Sequence, residues 1–487
     1  MLQSIRNMLL SFEEANIIYC HWKSNEHLND SVNGDTDLDI LFRKSQRQEI
    51  DIILNKCGLK RFRATYHMQY NAIEDFIGFD KETAKIWHLH VHYQLTLGEK
   101  HLKGYTPPWA DYILNNRWFS EEFGVFCSQL EDEYFLILLR IALKLRWRDF
   151  FKKLGKPEID EINWLKGYSP DHKVIKSAKI LLGERCSKEY EKVLNKKLRN
   201  RRDLFKLQRY LRSDMRQFTS YTASKSLIKR TIREGFWFIG GIARRLGLNS
   251  TIPSRRISPS GGTVIAILGS DGAGKSTSVA YIKKEFGKKI DLMTIYFGSG
   301  DGDSSILRYP MRLIAKRVGG KGLGNSIRKD TNISKSKKNV YFLAKVLWSI
   351  ALAREKRKKL KMVTKARNNG LLVITDRYPQ VEITGYNDGP LLTDYYKGKS
   401  RLLRKIAIWE MNIYKSAYVN PPDLVIKLLV PTELAIERKP EMTEFEIENK
   451  KTAVRKINLS QNVVEVDTSQ NKIISFGNIM EQVWKII

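Results

Sequence analysis

VIAILGSDGAGKST, residues 264–277, is the stretch that decides the fold. Its first five residues form an unbroken apolar run with three β-branched side chains, the pattern of a strand buried in a parallel sheet. Gly269-Ser270-Asp271-Gly272-Ala273-Gly274-Lys275-Ser276-Thr277 follows and matches G-x-x-x-x-G-K-[ST]. In such a loop successive backbone N–H groups curl around phosphates, and the next helix offers its positive N-terminus. Lys275 is then expected to reach β- and γ-phosphates, and the Ser276 hydroxyl to ligate Mg²⁺.

A second apolar run, LLVITDRYP at 371–379, ends in Asp376-Arg377. A carboxylate at a strand end can stand near Mg²⁺, and a guanidinium can grip a phosphate with two parallel bonds. Outward from these two runs the sequence reads as α/β from residue 263 to 487. The stretch before it, NSTIPSRRISPSGG, combines Pro, Ser, Gly and paired arginines, and 249–262 is the expected linker.

The chain has 487 residues, enough for two or three domains. Hydrophobic residues at 42% and charged residues at 28% exclude a wholly disordered chain. The net charge of +32 favours anionic partners: nucleotides, phosphorylated small molecules, nucleic acid or an acidic membrane face. Cys20, Cys57, Cys127 and Cys186 stand far apart without a CxxC pair, which fits a reducing compartment. No secretory signal is expected in the first residues, and no run of about 18 apolar residues occurs. The expected location is cytoplasmic.

The charge is unevenly spread. Residues 1–110 hold 13 Lys/Arg against 14 Asp/Glu, a net of −1, whereas 196–256 hold 17 against 3, a net of +14. A near-neutral first domain is poorly suited to gripping a polynucleotide. In it, IIYCHW, DLDILF and WHLHVHYQL read as strands, with a helix near 47–57. From about 111 to 248 the pattern is helical and increasingly basic, the expected connector. EDEYFLILLRIALKLRW within it is apolar nearly all round, as a buried helix requires.

Residues 262–487 resemble the thymidylate-kinase-like branch of the nucleoside-monophosphate kinases. The resemblance implies a P-loop parallel-sheet kinase fold that transfers a phosphoryl group from ATP with Mg²⁺. It implies that Asp271 approaches an acceptor hydroxyl. Arg354 in LAREK, Arg377 and Tyr378 would then contact the acceptor, and 437–451, ERKPEMTEFEIENKK, would form a basic lid. Family members whose loop lacks an arginine supply one from the lid, and Arg438 is the expected residue. This sequence departs from the pattern after its second strand, where the family's Arg-Glu-Pro-Gly is replaced by YFGSGDGDSS at 296–305. A different phosphate- or hydroxyl-bearing acceptor is therefore expected.

Asp37-Leu38-Asp39 opens the strand DLDILF, and residues two apart on a strand share a face. Both carboxylates could hold Mg²⁺. Lys23-Ser24-Asn25 ends 12 residues upstream of Asp37. On these residues, 16–95 resemble the polymerase-beta-like nucleotidyltransferases, with Lys23-Ser24 where Gly-Ser is usual. The resemblance implies that Lys23, Ser24 and Asn25 hold a triphosphate. It places a third carboxylate on a neighbouring strand, where this chain has His88, His90 and His92. Imidazole can ligate metal, and His90 joins Asp37 and Asp39 as an expected ligand. Asp75 and Asp80 are the candidate third carboxylates. A zinc site is the rival, lacking an evident fourth ligand.

Residues 226–248 alternate cationic pairs with FWFIGGI. A helix lying on an anionic membrane face and a domain-packing helix both fit, whereas the clustered aromatics serve a third reading, RNA contact, poorly. The whole chain thus reads as a mixed α/β and α+β protein: a nucleotidyltransferase-like domain at 1–110, a connector at 111–248 and a P-loop kinase. The alternatives are a regulatory P-loop ATPase with a degenerate first domain, which would hydrolyse ATP without an acceptor, and an RNA-modifying enzyme.

Overall fold

Leu38 and Ile40 are fully buried while Asp37 and Asp39 keep some exposure, the alternation carried by DLDILF itself. A computed structural model describes residues 1–196, 198–245, 251–298, 335–384, 388–398 and 400–487. It divides into two compact units, Met1–Ser250 with Ser254–Pro259, and Thr251–Pro253 with Ser260–Ile487.

The first unit is built on a mixed eight-stranded sheet. Its strands are β1 (Tyr19–His21), β2 (Asp37–Phe42), β3 (Lys60–Ala64), β4 (Ile73–Asp80), β5 (Lys85–His92), β6 (Trp118–Ser120), β7 (Val125–Cys127) and β8 (Arg256–Ile257), in the order β6-β7-β1-β2-β5-β4-β3-β8. β2 runs parallel to β5 with Asp37 opposite His88 and Asp39 opposite His90, so the sheet itself brings the two motifs together. β4 runs antiparallel to β5. Gly78 of β4 lies under the Trp87 ring, where a Cβ would come within 2.3 Å of a ring carbon. The helix Gln3–Glu14 buries Ile5, Met8, Leu9 and Phe12, the one-face spacing of an amphipathic helix, against this sheet.

The stretch 111–248, expected as a connector, belongs to the first unit. Helix Leu130–Lys144 is buried on nearly every side, and Phe135, Leu138 and Tyr190 share a core with Cys20 and Leu41 of the sheet. The expected linker is partly a strand: Arg256–Ile257 pair with β3, occupying backbone groups that an edge strand leaves open.

The second unit carries a five-stranded, all-parallel sheet. Its strands are β9 (Val264–Gly269), β10 (Leu292–Tyr296), β11 (Leu372–Asp376), β12 (Leu424–Leu429) and β13 (Val463–Asp467), in the order β10-β11-β9-β12-β13. Every residue of β9 is buried, as its apolar run requires. β9 is central, and the chain leaves it to one side and later returns on the other. Such a switch point opens a crevice at the carboxyl ends of the strands. The mixed α/β class with a parallel sheet is the architecture the sequence implied. Residues 299–334, most of the segment expected to shape the acceptor site, lie outside the described residues. Among the described residues no helix is long and apolar enough to cross a membrane.

Candidate functional site

The loop after β9 curls into helix Lys275–Lys289 and lines a cavity of about 590 Å³ with Asp376, Arg377 and Arg438. Gly272 has φ 80° and its Cα faces the backbone of Ala435, where a Cβ would meet a carbonyl oxygen at 2.8 Å. Only glycine suits that position. Lys275 folds back to donate to the Ser270 carbonyl at 2.7 Å. Burial, reinforced by Arg377, pulls its ammonium down to about 8, and Asp271 and Asp376 oppose the shift.

The Ser276 hydroxyl donates to Asp376 Oδ2 at 2.8 Å. Asp376 Oδ1 is buried with no hydrogen-bond partner among the described residues. A hydroxyl and a half-unsatisfied carboxylate on adjoining elements are hard oxygen donors, the kind Mg²⁺ takes. These residues fit the expected ion.

Arg377 sits at φ 69°, rare for a non-glycine and a place where strain marks function. Its guanidinium contacts Asp271 at 3.2 Å and stands 3.8 Å from Asp388. Lys450, in the stretch expected to form a lid, also binds Asp271. Burial opposes ionisation of Asp271, yet Lys450, Lys275 and Arg377 together hold it below the usual carboxylate range. The loop's one acid is thus ringed by cations.

The stretch expected to form a lid, 437–451, falls at the end of helix Thr432–Arg438 and on helix Glu444–Lys456. Arg438 donates to the Gly272 carbonyl at 3.1 Å and the Thr468 carbonyl at 3.0 Å, on the cavity rim. Two expected acceptor contacts lie elsewhere. Tyr378 is a core residue whose hydroxyl donates to the Asn420 carbonyl at 3.2 Å. Arg354 is exposed on helix Lys335–Asn368. The cation which that helix turns inward is Lys356, 2.9 Å from Asp388 and buried with it. Sequence reading favoured arginine by resemblance, and nothing in LAREK alone says which of its cations faces in.

In the first unit Asp37, Asp39, Asp75 and the three histidines converge. His88 bridges Asp37 at 3.0 Å and Asp75 at 2.8 Å, and Arg256 of β8 binds Asp75 at 2.7 Å. His90 and His92 approach Asp39 Oδ1 at 2.8 and 3.3 Å and lie 3.3 Å from each other. Lys23 meets the same oxygen at 2.7 Å. Burial opposes ionisation of Asp39, but Lys23 and the two histidines hold its carboxyl well below the usual range.

Asp39, His90 and His92 could together hold a metal ion. Two imidazoles and one carboxylate are a donor set for a transition metal, and they fit Mg²⁺ poorly. Asp80 is absent from the cluster, accepting instead from Ser4 and Thr83. Asn25 is buried and donates to Glu133 at 2.9 and 2.6 Å, while the Ser24 hydroxyl lies 3.5 Å from Glu161. Of the expected triphosphate-binding group only Lys23 reaches the carboxylates.

The loop, the parallel sheet and the carboxylate ending β11 define the second unit as a phosphate-loop α/β unit. No protein-family model matches the chain. It is 28% identical over 234 residues to the uncharacterized ATP-binding protein YghR of Escherichia coli (strain K12), covering 46% of this chain and 86% of YghR. It is 32% identical over 181 residues to the uncharacterized ATP-binding protein YghS of the same strain, covering 37% of this chain and 73% of YghS. The chain belongs to the same family as YghS. Solved structures similar to part of it include thymidylate kinase from Candida albicans, at 18% identity and a TM-score of 0.28 over 47% of this chain and 91% of that one. Deoxyadenosine kinase from M. mycoides with bound dATP is another, at 20% identity and 0.24 over 45% and 99%.

Proposed function

We propose that the second unit is an ATP-dependent phosphotransferase whose acceptor carries a phosphate or hydroxyl. The observation that carries this reading is the Ser276–Asp376 bond of 2.8 Å beside Lys275 and Arg377 in one cavity. The ATP-binding names of YghR and YghS support the donor. In this reading the 269–277 loop holds the ATP phosphates, and Ser276 with Asp376 would hold Mg²⁺, which spreads the charge of the phosphates. Lys275 and Arg377 position the transferring group and offset its charge, while Asp271 orients the acceptor. Arg438 completes the cluster from the lid.

Incubating the whole protein with labelled ATP and a panel of nucleoside monophosphates, sugar phosphates and lipid-linked sugars tests it. ADP formed only with an acceptor is expected. Acceptor-independent hydrolysis would instead make the unit an ATPase. Lys275→Ala should leave less than about a tenth of the activity, since such clamps contribute several kcal/mol.

A second reading concerns the first unit. We infer a nucleotidyltransferase-like site at Asp37 and Asp39, supported by their register against His88 and His90 and by Lys23 beside Asp39. The metal it would take is a transition ion at Asp39, His90 and His92. Metal analysis of the purified protein, with Asp39→Asn and His92→Ala beside it, decides this: equal metal content in all three would remove the site.

A further inference from the structure

Helix Ala223–Arg245 turns Arg230, Arg233 and Glu234 inward. Arg233 is only 3% exposed and donates to the carbonyls of Gln69 and His101 at 2.6 and 3.1 Å. Arg230 binds Glu99 at 2.6 Å, and Glu234 pairs with Arg146. The opposite side carries Leu227, Ile228, Ile232, Phe238, Ile239 and Ile242, each between 42 and 61% exposed. At 100° per residue these six fall within an arc of about 140°. Ser224, Thr231 and Gly235 share the arc, and the first charge, Arg245, comes only at its edge. A helix at a water-facing surface has the reverse arrangement, apolar in and polar out.

The same part of the unit exposes more apolar surface. Trp147 and Phe151, next along the chain from Arg146, are 86 and 91% exposed. Exposed cations surround them: Arg148, Lys152 and Lys153. A cavity of about 740 Å³ between the two segments joins Lys100, Lys144, Arg148 and Arg201 to Trp237 and Phe238. Its three acids are engaged, Asp149 by Lys152 at 2.8 Å, Glu158 by Arg201 at 3.0 Å and Glu234 by Arg146.

We propose that this face docks on an anionic phospholipid bilayer, with helix Ala223–Arg245 lying in the interface plane. The apolar arc enters the acyl boundary, Trp147 and Phe151 insert beside it, and the cation-lined cavity receives lipid phosphate. Three observations select a bilayer over a protein or RNA. The arc is uncharged along its length, which suits a continuous apolar medium. The cations lie beside the apolar surface, at the level where headgroups stand. The aromatics are clustered on one side, a poor arrangement for stacking successive bases. The net charge of +14 over 196–256 complements a negative leaflet.

Co-sedimentation of the full-length protein with phosphatidylcholine vesicles, with and without about a third phosphatidylglycerol, tests the proposal. Binding to the anionic vesicles is expected, at least tenfold weaker without the charged lipid. The double substitution I228E/F238E changes two exposed positions, so the melting temperature should hold while vesicle binding falls at least tenfold. A separate pair, W147S/F151S, should weaken it as well. No binding to anionic vesicles, or equal binding by I228E/F238E, overturns the proposal. A lipid-free dimer abolished by I228E/F238E would assign the face to a second copy of the chain and overturn it too, as would RNA binding lost in that variant without vesicle binding in the parent.

Discussion

Arg438 and Lys356 show how differently one cation can serve. Arg438 is exposed and, among the described residues, bonded only to carbonyls, so its removal leaves no buried charge unpaired among them. If it acts on the transferring phosphoryl group, Arg438→Ala should lower kcat by about two orders of magnitude with little change in KM for ATP. Arg455→Ala, on the lid's exposed face, is the comparison; the reverse outcome would keep the lid and move the role to Arg455. Lys356 lies buried against Asp388, and Arg377 stands beyond. Lys356→Met strands a carboxylate and should destabilise the second unit by about 3–5 kcal/mol, read as a loss in melting temperature. The double variant K356M/D388N should recover much of it. The sequence made Arg438 legible because a cation followed a strand and a short helix. It hid Lys356, because a helix carrying twelve lysines and arginines between 335 and 368 does not reveal which faces in.

Helix Leu130–Lys144 was legible as buried from its apolar content, but its two buried acids were not. Asp132 accepts from Ser177 at 2.7 Å, and Glu133 accepts from Asn25, both partners distant in sequence. Burial, with Glu161 adding to it, pushes the Glu133 carboxyl up to about 7. The folded state therefore keeps a proton that the unfolded chain releases from about pH 4.5 upward. Stability attributable to Glu133 falls as pH rises from about 4.5 to 7 and is level above, by an upper bound of about 3 kcal/mol. Urea unfolding at pH 5 and pH 8 should show this fall, and Glu133→Gln should flatten it. An unchanged difference in the variant would place the pH dependence elsewhere. The same scale explains Ser24 and Asn25: their spacing before Asp37 fitted a phosphate-binding turn, yet Glu133 and Glu161 draw both toward the helices.

Two units with separate cores predict two unfolding events in calorimetry of the whole chain. A non-hydrolysable ATP analogue with Mg²⁺ should raise the second unit's transition and leave the other in place, by about 2.7 kcal/mol at a hundredfold excess over Kd. Lys275→Ala should abolish that shift. A single transition raised as a whole would show that the units unfold together.

By itself the sequence determined the phosphate loop, the buried strands β9 and β11 and the pairing of carboxylates on β2. These follow from short-range chemistry: a glycine-spaced loop between a strand and a helix, and a side-chain period of two. The tertiary structure alone decided what depends on residues far apart in the chain. β5 lies parallel to β2 and sets His90 against Asp39, Arg256 returns on β8 to hold Asp75, and the connector becomes part of the first core. It also decided that helix Ala223–Arg245 turns Arg230 and Arg233 inward, because Glu99, Gln69 and His101 satisfy them there and leave its apolar side facing out.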